Sequence, residues 1–121
     1  MNVEYFRDFC LSLPHVSEHF PFDDVILVFK VANSKLFALL PLDDGDRANV
    51  KCHPEKAIEL REQFSAVKPG FHMNKKHWNT IFFHEDADDQ LILEWVKHSY
   101  NLVYQSLPKR IKKEFPLEEL L

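Results

Sequence analysis

One short segment, residues 68–80, holds the side chains best suited to bind a ligand. It contains three lysines, two histidines, two asparagines and a tryptophan, and it contains no acid. Ammonium and amide groups donate hydrogen bonds to phosphate oxygens, and flat rings stack on unpaired bases. The pattern therefore predicts a surface for an anionic partner, with nucleic acid as the first candidate. The residues assigned to this surface are Lys68, His72, Asn74, Lys75, Lys76, His77, Trp78 and Asn79.

Each of these assignments has a structural alternative. Trp78 leads into a predicted strand, where a tryptophan more often packs into a core than forms a stacking platform. Asn74 is suited to satisfying backbone groups in a turn. A second basic stretch extends the footprint in one interpretation and complements the dipole of a helix C-terminus in the other. That stretch contains Lys109, Arg110, Lys112 and Lys113.

The formal net charge is −4, but the charge is distributed unevenly. Residues 1–67 carry 7 basic and 11 acidic side chains, whereas residues 68–113 carry 8 basic and 5 acidic ones. Residues 114–121 add three glutamates. The overall charge argues against strong nonspecific binding of nucleic acid, since that binding comes from phosphate neutralisation. A local basic face built by the second half of the chain is the form that such binding would take.

Enzymatic or metal chemistry is a second hypothesis that the residue spacing does not favour. His72 and His77 are five apart, not the four that place two ligands on one helix face. Cys52 and His53 are adjacent, so in a strand they point to opposite faces, and a Cys–His pair needs a different histidine supplied by the fold, such as His72 or His77. The aspartates at 43, 44 and 46 lack the register of a calcium loop. We therefore predict no catalytic residues, no metal site and no cofactor.

A third hypothesis is a module that binds a protein or a small ligand. Aromatic side chains could line a groove with lysine and histidine at its rim. An acidic peptide, a nucleotide or a second copy of the chain could occupy it. The aromatic residues available for such a groove are Phe20, Phe22, Phe71 and Trp78.

Length and composition bound the remaining possibilities. A chain of 121 residues with 45% hydrophobic residues and 11 phenylalanines forms one domain, residues 1–121, with a substantial core. Cys10 and Cys52 make no disulfide framework, and Cys10 lies on an apolar helix face that predicts burial. No apolar stretch approaches the length of a membrane span, and no signal peptide is visible. These features predict a cytoplasmic protein that does not contact membranes, with a monomer favoured.

Periodicity predicts the order α-β-β-β-α-β-α. Asn2 caps a first helix that ends before Pro14, Pro54 begins a second that reaches about Phe64, and Asp86 or Asp88 caps a long third helix that Pro108 ends. Residues 115–121 are expected to form a short helical turn. Hairpin-linked strands with helices at both ends favour an α+β fold, an antiparallel sheet of about four strands with helices on one face. The predicted strands are residues 25–31, 36–40, 47–52 and 80–83.

The run from Pro69 to Thr80 closely resembles the signature of the MmcQ/YjbR family, and the resemblance covers nearly the whole chain. It implies an α+β fold with a frataxin-like sheet, also likened to a "double wing" DNA-binding domain, and hence DNA as a partner. It implies no catalytic residues. One departure is the turn from Asp43 to Arg47, which is more acidic than expected of a wing that contacts DNA. The other matching motifs, in chain order, are Leu13-Pro14, Phe20-Pro21-Phe22, Val28-Phe29-Lys30-Val31, Leu36-Phe37-Ala38, Lys51-Cys52, Pro54-Glu55, Ser99-Tyr100 and Leu107-Pro108-Lys109.

Overall fold

Six antiparallel strands and four helices make up the chain in a computed structural model that describes all 121 residues. The strands lie in one sheet in the order β1-β2-β3-β4-β6-β5. The elements, in chain order, are α1 Val3–Ser12, β1 Val16–His19, β2 Ile26–Val31, β3 Lys35–Pro41, β4 Arg47–Lys51, α2 Pro54–Gln63, β5 Val67–Pro69, β6 Trp78–Phe82, α3 Asp89–Gln105 and α4 Lys109–Glu114.

The predicted α+β class, with an antiparallel sheet and helices on one face, is confirmed. The main core of 24 buried residues includes side chains from α1, from α3 and from all the strands except β1. Leu60 of α2 and Ile111 of α4 pack against this same core. We call the covered side the helix face and the opposite side the open face of the sheet.

The strand count is a correction, because the sheet has six strands rather than about four. The two additional strands, β1 and β5, are only 4 and 3 residues long and form the two edges of the sheet. Edge strands pack against one neighbour and carry polar side chains, and β5 contains Pro69, which an edge tolerates. Neither segment therefore shows the run of apolar residues or the polar–apolar alternation that identified the other four.

The helix ends follow mostly from local sequence. The side chain of Asn2 accepts a hydrogen bond from the Tyr5 amide, and Asp88 caps α3 by accepting from the Leu91 amide. Pro54 occupies the first turn of α2, as predicted. The C-terminal region is a correction: the basic stretch Lys109–Glu114 forms α4, whereas residues 115–121 form no helix. Pro108 is the N-cap of this helix, and Pro116 follows directly after its end.

A bulge in β3 decides which side chains reach the open face. Phe29 pairs with Ala38 and Lys30 pairs with Leu36, so Phe37 is an extra residue in its strand. Phe37 and Ala38 consequently both lie in the main core, while Leu36 and Leu39 lie on the open face. There Leu39 joins a small cluster with Val28 and Trp78.

Candidate functional site

Residues 70–77, which we call the covering loop, form a closed turn between β5 and β6. The Gly70 amide donates to the Trp78 carbonyl at 2.9 Å, and the Trp78 amide donates to the Asn74 carbonyl at 3.0 Å. Gly70 is required by close approach, because a Cβ built on it would lie 2.8 Å from Trp78 Cβ. Asn74 Oδ1 accepts from the Lys76 amide at 2.9 Å. Asn74 therefore orders the turn with its carboxamide oxygen, as its structural alternative predicted.

Arg61 of α2 anchors the covering loop to the rest of the domain. Its Nε donates to Asn79 Oδ1 at 2.7 Å, and its Nη2 donates to the Trp78 carbonyl at 3.2 Å and to the Lys75 carbonyl. The planar guanidinium suits this task, since one side chain satisfies three acceptors in a fixed geometry. In the sequence, Arg61 lies on the same face of α2 as Ala57 and Leu60. That spacing was the one indication that its side chain points toward the protein interior.

The loop folds back over the open face of the sheet. The Phe71 amide donates to Thr80 Oγ1 at 2.9 Å, and Asn49 Nδ2 donates to the Phe71 carbonyl at 3.1 Å. The Phe71 ring contacts Phe82 edge to face, with ring centroids 5.8 Å apart. Met73 packs on the small cluster that contains Trp78. The loop is thus held by both its backbone and its side chains on β4 and β6.

Two of the predicted contact residues are buried in the structure. Trp78 is only 8% exposed beneath the covering loop, and Asn79 is only 1% exposed. Asn79 points to the helix face, where it accepts from Arg61 and its Nδ2 lies 3.5 Å from the Ala57 carbonyl. Neither side chain is accessible to a partner in this conformation. Trp78 packs into an apolar cluster, as the structural alternative predicted. Asn79 stabilises the fold through its bond to Arg61.

The other six predicted residues stay accessible to different degrees. Lys68, His72 and Lys76 are exposed, and His77 is half-buried. Asn74 and Lys75 are also exposed, but both make internal bonds. Lys75 Nζ donates to the Gly70 carbonyl at 3.0 Å, which closes the loop from inside. Of the three lysines in the segment, Lys68 and Lys76 are therefore the two whose ammonium groups are uncommitted.

The strands of the sheet present cations and no acidic side chains to the open face. Side chains alternate along strands, so the pairing places Lys30 of β2, Lys51 of β4 and Lys68 of β5 on this face. Lys30 and Lys51 lie at the same end of the sheet on either side of β3, about 10 Å apart by strand spacing. The turn with Lys76 adjoins this end, because the Cys52 amide donates to the His77 carbonyl at 2.8 Å. We call Lys30, Lys51, Lys68 and Lys76 the lysine group.

None of these four lysines makes an ion pair. The salt bridges of the domain join the N-terminus to Asp89, Arg7 to Glu18, and Arg47 to Asp44 and Asp46. Arg47 begins β4 and Lys51 ends it, so the acids around Arg47 lie about 13 Å along the strand from Lys51. The open face is therefore polarised, with Lys30, Lys51 and Lys76 toward one end, Lys68 midway along the β5 edge, and the acidic β3–β4 turn at the other end.

The C-terminal basic stretch lies apart from the covering loop. Helix α4 packs on the helix face near β1, where Phe115 contacts the His15 ring and Pro116 O lies 2.9 Å from His15 Nε2. The covering loop adjoins β6, and three strands separate β1 from β6 in the sheet. That separation is about 19 Å. Lys30 of β2 is nearer to β1, and it is separated from α4 because it lies on the opposite face of the sheet.

Cys52 does not have the surroundings of a nucleophile. Its side chain is 3% exposed, and burial raises the pKa of the thiol to about 11. The histidine beside it is His98 rather than His72 or His77, and both line a cavity of about 10 Å³. His98 Nε2 accepts from the His53 amide at 3.2 Å, and burial lowers its pKa. Cys52 therefore stays protonated at neutral pH. Nowhere do three His, Cys, Asp or Glu side chains converge in the way that a metal ion needs.

The fold and the covering loop define a class of small α+β proteins with a six-stranded antiparallel sheet, helices on one face and a loop folded over the other. A sequence model of the YjbR family matches residues 11–102. The chain belongs to the YjbR family.

Individual relatives agree with this assignment. The chain is 33% identical over 103 residues to the uncharacterised protein YbdF of Escherichia coli O157:H7, covering 85% of this chain and 84% of that one. It is 26% identical to the uncharacterised protein YjbR of Escherichia coli K12 over 113 residues, covering 93% and 96% of the two chains.

Solved structures confirm the fold. The crystal structure of Deinococcus radiodurans protein DR2400, a DUF419 domain, superposes with a TM-score of 0.90 at 38% identity. It covers 98% of this chain and 91% of that one. A Pseudomonas syringae protein shares the fold with a TM-score of 0.72 at 22% identity, covering 85% and 99% of the two chains. No helix combines the length and apolar character that crossing a bilayer requires.

Proposed function

We propose that this protein binds nucleic acid, with DNA as the first candidate, through the lysine group at one end of the open face. The observation that carries the proposal is that four lysines without ion pairs lie on or beside strands whose open-face side chains include no acid. Unpaired ammonium groups release counterions when they meet phosphates, which is the main source of affinity for nucleic acid.

Exposed groups of the covering loop extend this surface toward bases. The free Nδ2 of Asn74, two residues from Lys76, is a donor for a phosphate or a base edge, whereas Phe71 and the exposed His72 lie on the side of the loop that faces the acidic turn. The acidic turn lies at the far end of β4, so a bound strand would run across the lysine end and avoid Asp44 and Asp46. In this arrangement the turn from Asp43 to Arg47, which is more acidic than expected of a wing that contacts DNA, does not contact the bound strand.

The same proposal takes the protein as non-enzymatic, cytoplasmic and monomeric. The protonated state of Cys52 supports a non-enzymatic role, because a thiol with a pKa of about 11 is a weak nucleophile at neutral pH. Binding through dispersed lysines needs no cofactor.

The proposal predicts salt-dependent binding by the unmodified protein. Fluorescence polarisation with labelled single-stranded and duplex DNA should show binding at about 50 mM salt that weakens roughly 10- to 40-fold at about 200 mM, the response for two or three neutralised phosphates. Bovine serum albumin, another acidic protein, serves as the control for nonspecific association. Absence of binding to either DNA at the lower salt concentration would overturn the proposal.

A further inference from the structure

A groove on the open face lies at the end opposite the lysine group. It has a volume of about 430 Å³ and runs between the covering loop, the start of β2 and the β3–β4 turn. Ligand sites commonly have volumes of about 300–1,000 Å³. The apolar side chains that line this groove are Phe22, Val25, Ile26, Leu39, Phe71 and Met73.

Two aromatic rings at this groove are exposed. Phe22 is 67% exposed and Phe71 is 41% exposed. The Phe71 backbone is fixed by its bonds to Asn49 and Thr80, and its ring packs edge to face on Phe82, so the ring is positioned before any ligand arrives. The neighbouring His72 also lines the groove and has a φ of +59°, a strained value for a residue with a Cβ. Such strain concentrates at binding sites.

The charge of the groove is opposite to that of the lysine group. Asp23 and Asp43 line it, and its one cation is Arg47. Arg47 Nη1 donates to Asp44 at 2.8 Å and to Asp46 at 2.9 Å, so its charge is already matched within the protein. Asp23 Oδ1 accepts from the Val25 and Ile26 amides, which lower the pKa of that carboxyl and keep it ionised. Asp43 makes no hydrogen bond or salt bridge.

We propose that this groove binds a small organic cation with an apolar body, of the arylalkylamine class. The body of such a molecule fills the space between Phe22 and Phe71, and its ammonium group lies near the unpaired carboxylate of Asp43. Aromatic faces attract cations in addition to binding the apolar body, and a carboxylate adds charge attraction. This inference is independent of the proposed nucleic-acid binding, since it uses the opposite end of the open face.

The test is a titration of the whole protein with 2-phenylethylammonium, followed by ¹H–¹⁵N NMR. We expect saturable shifts at residues 22–26, 39–47 and 71–73 below about 10 mM. The neutral analogue 2-phenylethanol and the anion 3-phenylpropionate should bind at least about fivefold more weakly, because they lack the positive charge that Asp43 attracts.

Two matched variants locate the ammonium group. Asp43→Asn should weaken 2-phenylethylammonium about fivefold, while Asp8→Asn, an equal change on an exposed residue of α1, should leave its affinity unchanged. Neither variant should weaken DNA binding. The proposal is overturned if the amine produces no saturable shifts, if the neutral or anionic analogue binds as tightly, or if Asp43→Asn has no effect.

Discussion

Replacing Arg61 with methionine is expected to lower the free energy of unfolding by about 3 kcal/mol. The substitution removes a charged donor from Asn79 and from the Trp78 and Lys75 carbonyls. Hydrogen bonds to charged groups contribute about 1.5–3 kcal/mol, and a buried amide left without its partner adds a desolvation cost. For a domain of this size the midpoint of thermal unfolding should fall by about 10 °C.

The control for this change is Arg110→Met, since Arg110 is exposed and makes no hydrogen bond or salt bridge. It should change stability by less than about 0.5 kcal/mol. Arg61→Lys should fall between the two, because an ammonium keeps the charge but cannot reproduce the planar fork. Denaturant unfolding of the three variants measures the differences. An Arg61→Met protein as stable as the Arg110→Met protein would show that the covering loop does not depend on this anchor.

The double substitution Lys51→Gln with Lys76→Gln is expected to weaken DNA binding roughly tenfold at about 50 mM salt. Each lysine that no longer meets a phosphate should also reduce the slope of log K against log salt by about 1, so the slope should fall by about 2. Glutamine keeps most of the aliphatic stem, so thermal stability should change little. Polarisation measurements across a salt series give both quantities.

Lys109→Gln with Lys113→Gln removes the same charge from α4, on the helix face. This control should reduce affinity only through the weak long-range effect of net charge and should leave the salt slope nearly unchanged. If both double variants lose equal affinity and slope, binding follows total charge and the lysine group is not the interface.

The sequence identified the elements whose own side chains carry a strong pattern. The long third helix appeared as predicted, and the face that carries Ile92, Trp95, Val96 and Ser99 is buried. The hairpin of β2 and β3 also appeared as predicted. Ala32 and Asn33 at its tip have positive φ values. Strands β1 and β5 escaped notice because an edge strand of three or four residues draws its stability from pairing that local periodicity does not reveal.

The candidate site was harder to predict than the fold. Segment 68–80 was singled out for its composition, but composition alone did not separate the side chains that hold the loop from those that face solvent. Asn79 and Lys75 carry donors that suit an anion, but both bind groups within the domain. Lys30 and Lys51 were missed because strand register, which is set by long-range pairing, brings them to the open face beside Lys76.

The groove shows the same division. Aromatic residues Phe22 and Phe71 were expected to line a groove, and both do so. Phe20 and Trp78 do not line it. Of the expected rim of lysine and histidine, His72 lines the groove but no lysine does, because the turn after β3 places Asp43 there while the lysines lie elsewhere on the face. The charged residues that lie near Phe71 in the folded protein therefore differ from those that lie near it in the sequence.

The measurement that tests the central claim most directly is lysine acetylation of the folded protein, with and without saturating single-stranded DNA, followed by mass spectrometry. It reports binding and its location in one experiment. The account predicts that DNA slows acetylation of Lys30, Lys51, Lys68 and Lys76, while Lys109 and Lys113 react at unchanged rates. Equal acetylation with and without DNA, or protection confined to α4, would contradict the assignment of the lysine group as a nucleic-acid interface.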